Sequence, residues 1–172
     1  MTKRPYGPII QNAFIVDDMD AAISYWTQVM QVGPFFKFPE IVFEEADFRG
    51  RPHKPDFGAA IAYSGDLMIE LIRPQGPSIF SEFAAAGHTG VHHFAAFADD
   101  LGVAAAAIEA RGGRRVQGGR LVDGSSIAYF EMGGPAPSVL EIACLSRAAL
   151  GLFDAIKAAG ANWDGRTPTV SF

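Results

Sequence analysis

Two stretches of the chain carry the same pattern and decide the fold. The first reads QNAFIVDD at residues 11–18, and the second reads HFAAFADD at residues 93–100. In each, a polar residue opens an apolar run, and an aspartate that can cap a helix, Asp18 or Asp100, follows seven positions later. Two later stretches match as well, MIELI at 68–72 and VLEIA at 139–143, each with a single glutamate between apolar neighbours. A period of about 75 residues is too long for a solenoid unit and indicates a duplicated supersecondary module.

Hydrophobic periodicity around these stretches predicts the order βαβββ in both halves. Module one spans about 8–75, a linker 76–89 and module two about 90–145; a C-terminal helix over 146–160 and a tail follow. Turns are predicted at 50–52, at Gly118-Gly119 and at 133–135, and the tail after Trp163 is expected to be loose or packed on a neighbour. The predicted fold class is α+β, with two tandem βαβββ modules forming a curved mixed sheet around a central cavity.

Composition excludes several classes of function. The chain has 172 residues, 49% of them hydrophobic and 19% charged, which is a globular composition and not a disordered one. A net charge of −5 with scattered basic residues argues against nucleic-acid binding. One cysteine, Cys144, allows neither an internal disulfide nor a Cys-only zinc site. No stretch is apolar enough to span a membrane and no targeting segment is visible, so a cytoplasmic protein is expected.

Four polar residues of the repeat stand out as candidate ligands. Glu70 and Glu141 each lie in an apolar strand. Burying an unpaired carboxylate costs several kcal/mol, so a glutamate buried there needs a partner. Either residue alone could simply face solvent on a half-exposed sheet. The repeat makes Gln11 and His93 equivalent strand openers, so the four would converge if the modules pack symmetrically. One amide, one imidazole and two carboxylates suit a divalent metal such as Zn²⁺, Ni²⁺, Co²⁺ or Mn²⁺.

With these segments and their order, the sequence resembles the vicinal oxygen chelate superfamily. That group includes glyoxalase I, methylmalonyl-CoA epimerase, extradiol dioxygenases and bleomycin-resistance proteins. The resemblance covers roughly residues 8–145 and is nearest to glyoxalase I and the epimerases. It implies metal ligands at Gln11, Glu70, His93 and Glu141.

The resemblance implies proton abstraction next to a carbonyl, with a metal-stabilised enolate or enediolate, as in a lactoylglutathione lyase or an acyl-CoA epimerase. Glu141 is the implied base, and Glu70 is a ligand or a second base. A two-histidine oxygenase is less favoured, because the side chain of His92 is expected on the opposite face of its strand from His93. A small-molecule-binding protein of the bleomycin-resistance type, without turnover, stays open as an alternative.

The substrate is less determined than the chemistry. Glutathione hemithioacetals and acyl-CoA thioesters would require a basic rim, and several residues could contribute to one: Arg49, Arg51, Lys54, Arg73, Arg114, Arg115 and Arg120. A hydrophobic carbonyl compound is also possible, because Phe35, Phe36 and Phe38 follow the first helix where a loop could overhang the site, although most phenylalanines fill cores. The apolar C-terminal helix and Phe172 make a homodimer plausible.

Overall fold

The computed structural model describes residues 4–88, 90–133 and 139–170. Fifteen helices and strands follow one another along these residues: β1 (Ile9–Ile15), α1 (Met19–Gln28), β2 (Phe35–Phe38), β3 (Phe43–Phe48), β4 (Arg51–Pro52), β5 (Phe57–Ser64), β6 (Leu67–Pro74), α2 (Ile79–Ala85), β7 (Val91–Phe97), α3 (Leu101–Glu109), β8 (Arg114–Leu121), β9 (Ser126–Glu131), β10 (Val139–Cys144), α4 (Arg147–Ala161) and β11 (Thr169–Val170). The predicted α+β fold with a mixed sheet is confirmed. The far part of the turn predicted at 133–135 and the Phe172 tail lie outside the described residues.

All strands join one mixed sheet in the order β11-β2-β5-β6-β1-β7-β10-β9-β8-β3-β4. Strands β2 and β3 lie eight positions apart in this order, about 38 Å in a flat sheet. Only five positions of chain separate Phe38 from Phe43, which span at most about 18 Å. The sheet must therefore curl until its two ends approach each other. The rings of Phe43 on β3 and Phe57 on β5 do meet, with centroids 6.3 Å apart. The result is an open cup, since β11 and β4 at the two edges do not pair with each other.

Helices α1 and α3 belong to the repeat, α2 and α4 do not, and together they cover both faces of the sheet. Asp18 and Asp100 cap α1 and α3 by accepting the backbone N–H groups of Ala21 and Val103, as the sequence predicts. Helix α1 packs on the outer face of the first half, and α3 packs on the outer face of the second. Helices α2 and α4 instead cover the inner face, where Phe80 of α2 contacts Tyr129 and Ile156 of α4 contacts Ile61. The inner face of the cup is therefore covered by the two helices that lie outside the repeat.

One prediction about the chain between elements is wrong. Gly118-Gly119 is not a turn, because β8 runs through both glycines to Leu121. They are needed there for close approach: a Cβ on Gly119 would lie 2.3 Å from the backbone oxygen of Glu45 on β3. Of the two alternatives predicted for the tail, loose or packed on a neighbour, the described part is packed, because β11 pairs in parallel with β2. The turn predicted at 50–52 shifts by one residue, and Arg51–Pro52 forms the short strand β4.

No helix among the residues that the structure describes is long and apolar enough to cross a membrane.

Candidate metal centre and active site

The four candidate ligands come from the four central strands of the cup. Glu70 lies on β6, Gln11 on β1, His93 on β7 and Glu141 on β10, and these strands are neighbours in that order. The register repeats the sequence symmetry. Ala13 is the partner of both Glu70 and His93, and Ala95 is the partner of both Gln11 and Glu141.

The side chains of these four residues meet inside the cup. His93 Nε2 lies 2.9 Å from Glu141 Oε2 and 3.5 Å from Glu70 Oε2. Gln11 Nε2 donates to Glu70 Oε2 at 2.5 Å and lies 3.5 Å from His93 Nε2. His93 is fully buried, and the other three are 5–9% exposed. The structure therefore brings together the whole set that the sequence predicts, in a place shielded from solvent.

Burial and charge perturb this cluster strongly. Burial alone would lower the pKa of His93, but its contacts with the carboxylates of Glu141 and Glu70 outweigh burial and raise that pKa to about 9. The pKa of Glu70 is raised, first by burial and then by the charge of Glu141, against the opposing effect of His93. Two buried carboxylates that share one imidazole form a site of excess negative charge, which a cation would neutralise.

The donor set fits a divalent metal. Ligand atoms of Glu70, His93 and Glu141 all lie within 4.8 Å of one another. Glu141 Oε2 is buried without a well-aligned hydrogen bond among the described residues, although His93 Nε2 is close to it. Gln11 presents its amide nitrogen to Glu70, and a half-turn of that amide would present the oxygen instead. One imidazole nitrogen and three oxygens form a set that zinc, nickel, cobalt and manganese accept.

A ring of aromatic side chains packs around the cluster. Tyr129 is 2% exposed, is the register partner of Glu141, and lies edge-on to His93 with ring centroids 5.3 Å apart. Burial raises the pKa of Tyr129 well above its usual value, with added contributions from Glu141 and Glu70. Phe80 of α2 contacts both rings, at 5.5 Å from Tyr129 and 6.1 Å from His93. Tyr129 lies on the inner face of β9, opposite Glu141 of β10. The alternation of β9 places Tyr129 and Ile127 on one face, but the sequence alone does not show that this face meets Glu141.

His92 does not point away from the site as the sequence predicts. Its Nδ1 lies 3.0 Å from Nδ1 of His93. The cause is a shift in register between β1 and β7, where Ala13 pairs with His93 but Phe14 pairs with Val91, so that His92 is an extra residue in the strand. Such a bulge breaks the alternation of side chains between the two faces, and no sequence signal marked it. Burial, with a further contribution from His93, lowers the pKa of His92 to about 3.

Gln117 is a second polar residue of the inner face that sequence reasoning missed. It is fully buried and lies beside Tyr129 in the register of β8 and β9. Its Oε1 accepts the backbone N–H of Ile79 and thereby anchors the start of α2, while its Nε2 has no hydrogen-bond partner among the described residues.

The three phenylalanines predicted near the pocket are divided between the two faces of the sheet. Phe35 is fully buried with the residues under α1, on the outer face. Phe36 lies on the inner face with Ile61 and Met68. Phe38 lines an apolar pocket beside α4.

Comparison with known proteins identifies the family and supports the fold. A profile of the Glyoxalase/Bleomycin resistance protein/Dioxygenase superfamily matches residues 10–130, and the chain belongs to this superfamily. Methylmalonyl-CoA epimerase from Mycobacterium tuberculosis has a similar structure, with a TM-score of 0.59, 15% identity and coverage of 87% of this chain and 96% of that one. A Streptomyces coelicolor methylmalonyl-CoA epimerase variant in complex with 2-nitronate-propionyl-CoA is similar with a TM-score of 0.54, 18% identity and coverage of 80% and 94%.

A hypothetical protein from Bacillus halodurans C-125 matches with a TM-score of 0.57, 14% identity and coverage of 79% of this chain and 92% of that one. A sequence comparison with curated proteins finds no match. At these identities the structural matches show a common fold, and the predicted superfamily is confirmed.

Proposed function

We propose that this protein is a metal-dependent lyase or isomerase that moves a proton next to a carbonyl group. The observation that carries the proposal is the convergence of Gln11, Glu70, His93 and Glu141 at one buried point, with one oxygen of Glu141 lacking a well-aligned hydrogen bond. A bound divalent metal would polarise the carbonyl and stabilise the oxyanion that forms when the proton leaves.

Glu141 is the proposed base. Its carboxylate is buried where the four side chains meet, with Oε2 2.9 Å from Nε2 of His93, and would be within reach of a substrate that binds at this point. Tyr129 and Phe80 pack against the imidazole of His93, Tyr129 edge-on and Phe80 tilted, and help to hold that ring in place beside Glu141. Glu70 faces the same point from the other half of the cup and could return the proton to the opposite side of the carbon, as an isomerase requires.

The test is hydrogen–deuterium exchange at the carbon next to a ketone, followed by NMR, in protein loaded with each of the four metals. Glu141→Gln should abolish the exchange and leave the fold intact. Glu109→Gln is the matched control, because Glu109 is an exposed glutamate of α3 remote from the cluster. Exchange that persists in Glu141→Gln would remove Glu141 from the mechanism.

A binding protein without turnover is the alternative, and the apolar pocket beside α4 favours it. In that case the ketone would bind equally to the wild type and to Glu141→Gln, with no exchange in either protein.

A further inference from the structure

An apolar pocket of about 400 Å³ opens at the end of the cup that α4 covers. Its walls are mostly hydrocarbon and come from four parts of the chain: Phe38, Ile61, Leu121, Leu145, Leu152 and Phe153. Val42 and Val122 belong to the same wall and are 46% and 65% exposed, so apolar surface continues from the pocket to its mouth. A volume of this size falls within the range of small-molecule sites.

The pocket adjoins the part of the inner face that holds the metal ligands, with side chains between the two. Ile61 is the register partner of Glu70 on the neighbouring strand, so their side chains stand next to each other on one face. Phe153 stacks on Phe97, with centroids 6.1 Å apart, and Phe97 lies on the same face of β7 as His93. One layer of side chains therefore separates the pocket from the carboxylates.

The charges around the pocket do not suit an anion. Its described lining contains two acidic residues, Glu40 and Asp123, and neither lysine nor arginine. A CoA or glutathione moiety would meet only like charge at this mouth, which lowers affinity.

Most arginines that could form a basic rim elsewhere are already paired. Arg49 contacts Glu82 and Glu131, and Arg114 also contacts Glu131. Arg115 pairs with Asp47, and Arg120 pairs with Glu44 and Glu45. An incoming phosphate or carboxylate would have to displace these acidic partners.

We propose that the substrate is an uncharged carbonyl compound whose hydrocarbon chain or ring occupies this pocket while its carbonyl reaches the cluster past Ile61. The placement of the carbonyl at the cluster rests on the proposed function. The placement of the hydrocarbon part rests on the pocket alone. A substrate of this kind would distinguish this chain from enzymes that hold their substrate by an anionic carrier such as CoA or glutathione.

The first experiment measures binding of 2-hexanone, 2-octanone and 2-decanone to the metal-loaded protein by isothermal titration calorimetry. Each added methylene should tighten binding about fourfold until the pocket is full, since burying one contributes about 0.8 kcal/mol. Ala148→Trp should weaken binding of 2-octanone at least about tenfold, because Ala148 lines the pocket from an exposed position and an indole would fill it. Ala155→Trp is the control, an exposed position of the same helix outside the pocket.

The second experiment compares 2-octanone with octanoyl-CoA, which has a chain of the same length on an anionic carrier. The ketone should bind and the thioester should bind at least about tenfold more weakly, because the mouth is acidic. Glu40→Lys should reduce the difference in affinity between 2-octanone and octanoyl-CoA, because it replaces a negative charge of the pocket lining by a positive one. Equal affinity of the two compounds, or equal effects of the two tryptophan variants, would overturn the pocket proposal. Ketone binding with these preferences but without proton exchange would overturn the proposed catalysis and leave the pocket assignment standing.

Discussion

Metal binding should raise the melting temperature of this protein, because the ligands are brought together only by folding. The ligands converge only in the folded chain, because Gln11 is 59 positions from Glu70 and 82 from His93. A metal that binds the folded state alone, at a free concentration one hundred times its dissociation constant, stabilises that state by about 2.7 kcal/mol. For a chain of 172 residues, each kcal/mol moves the melting temperature by about 2–4 °C. The expected shift is therefore about 5–11 °C.

The measurement is thermal unfolding of chelator-treated protein with and without each of the four metals. Glu141→Gln replaces a carboxylate ligand by a weaker amide. If affinity falls about a hundredfold, the same metal concentration stabilises by only about 0.4 kcal/mol, or about 1–2 °C. Glu109→Gln should behave like the wild type, because Glu109 is exposed on α3. A wild type that none of the metals stabilises, or a Glu141→Gln protein with the full shift, would show that these residues do not form a metal site.

Three further outcomes follow from the packing and the charges. His93→Ala leaves two buried carboxylates unpaired in metal-free protein, so urea unfolding should show a loss of about 3–5 kcal/mol, and a loss below 1 kcal/mol would contradict the charge argument. Burial would raise the pKa of Glu131, but its ion pairs with Arg49 and Arg114 outweigh burial and lower that pKa from 4.5. These ion pairs therefore stabilise the fold above pH 4.5, and their contribution is lost as the pH falls below the lowered pKa. Glu131→Gln should cost no more than about 1 kcal/mol above pH 4.5 and nothing well below it, in urea unfolding at several pH values. Gly119→Ala should destabilise by about 1–3 kcal/mol, because its Cβ would meet the β3 backbone, whereas Gly151→Ala in the open middle of α4 should stabilise by up to about 1 kcal/mol in the same assay.

The sequence predicts the repeat and its consequences because they depend on local pattern. A polar residue that opens a strand, a capping aspartate and a lone glutamate in an apolar strand are all visible in single stretches, and symmetric packing then brings Gln11, Glu70, His93 and Glu141 together. What depends on pairing between distant strands is not visible. The bulge at His92 arises from the register of β7 against β1, and the strand through Gly119 arises from its contact with β3. The homodimer stays a prediction, which sedimentation or size-exclusion chromatography would test.

The elements outside the repeat make the two halves of the cup different from each other. The repeat alone would give two equal halves around an open site, with Glu70 and Glu141 in equivalent places. Helix α2 breaks that equivalence by placing Phe80 against His93 and Tyr129, so aromatic rings pack on the Glu141 side of the cluster. On the Glu70 side the neighbour is Ile61, which also lines the apolar pocket under α4. This asymmetry supports the proposal that the two equivalent carboxylates have different tasks, with Glu141 as the base and Glu70 on the side where the substrate enters.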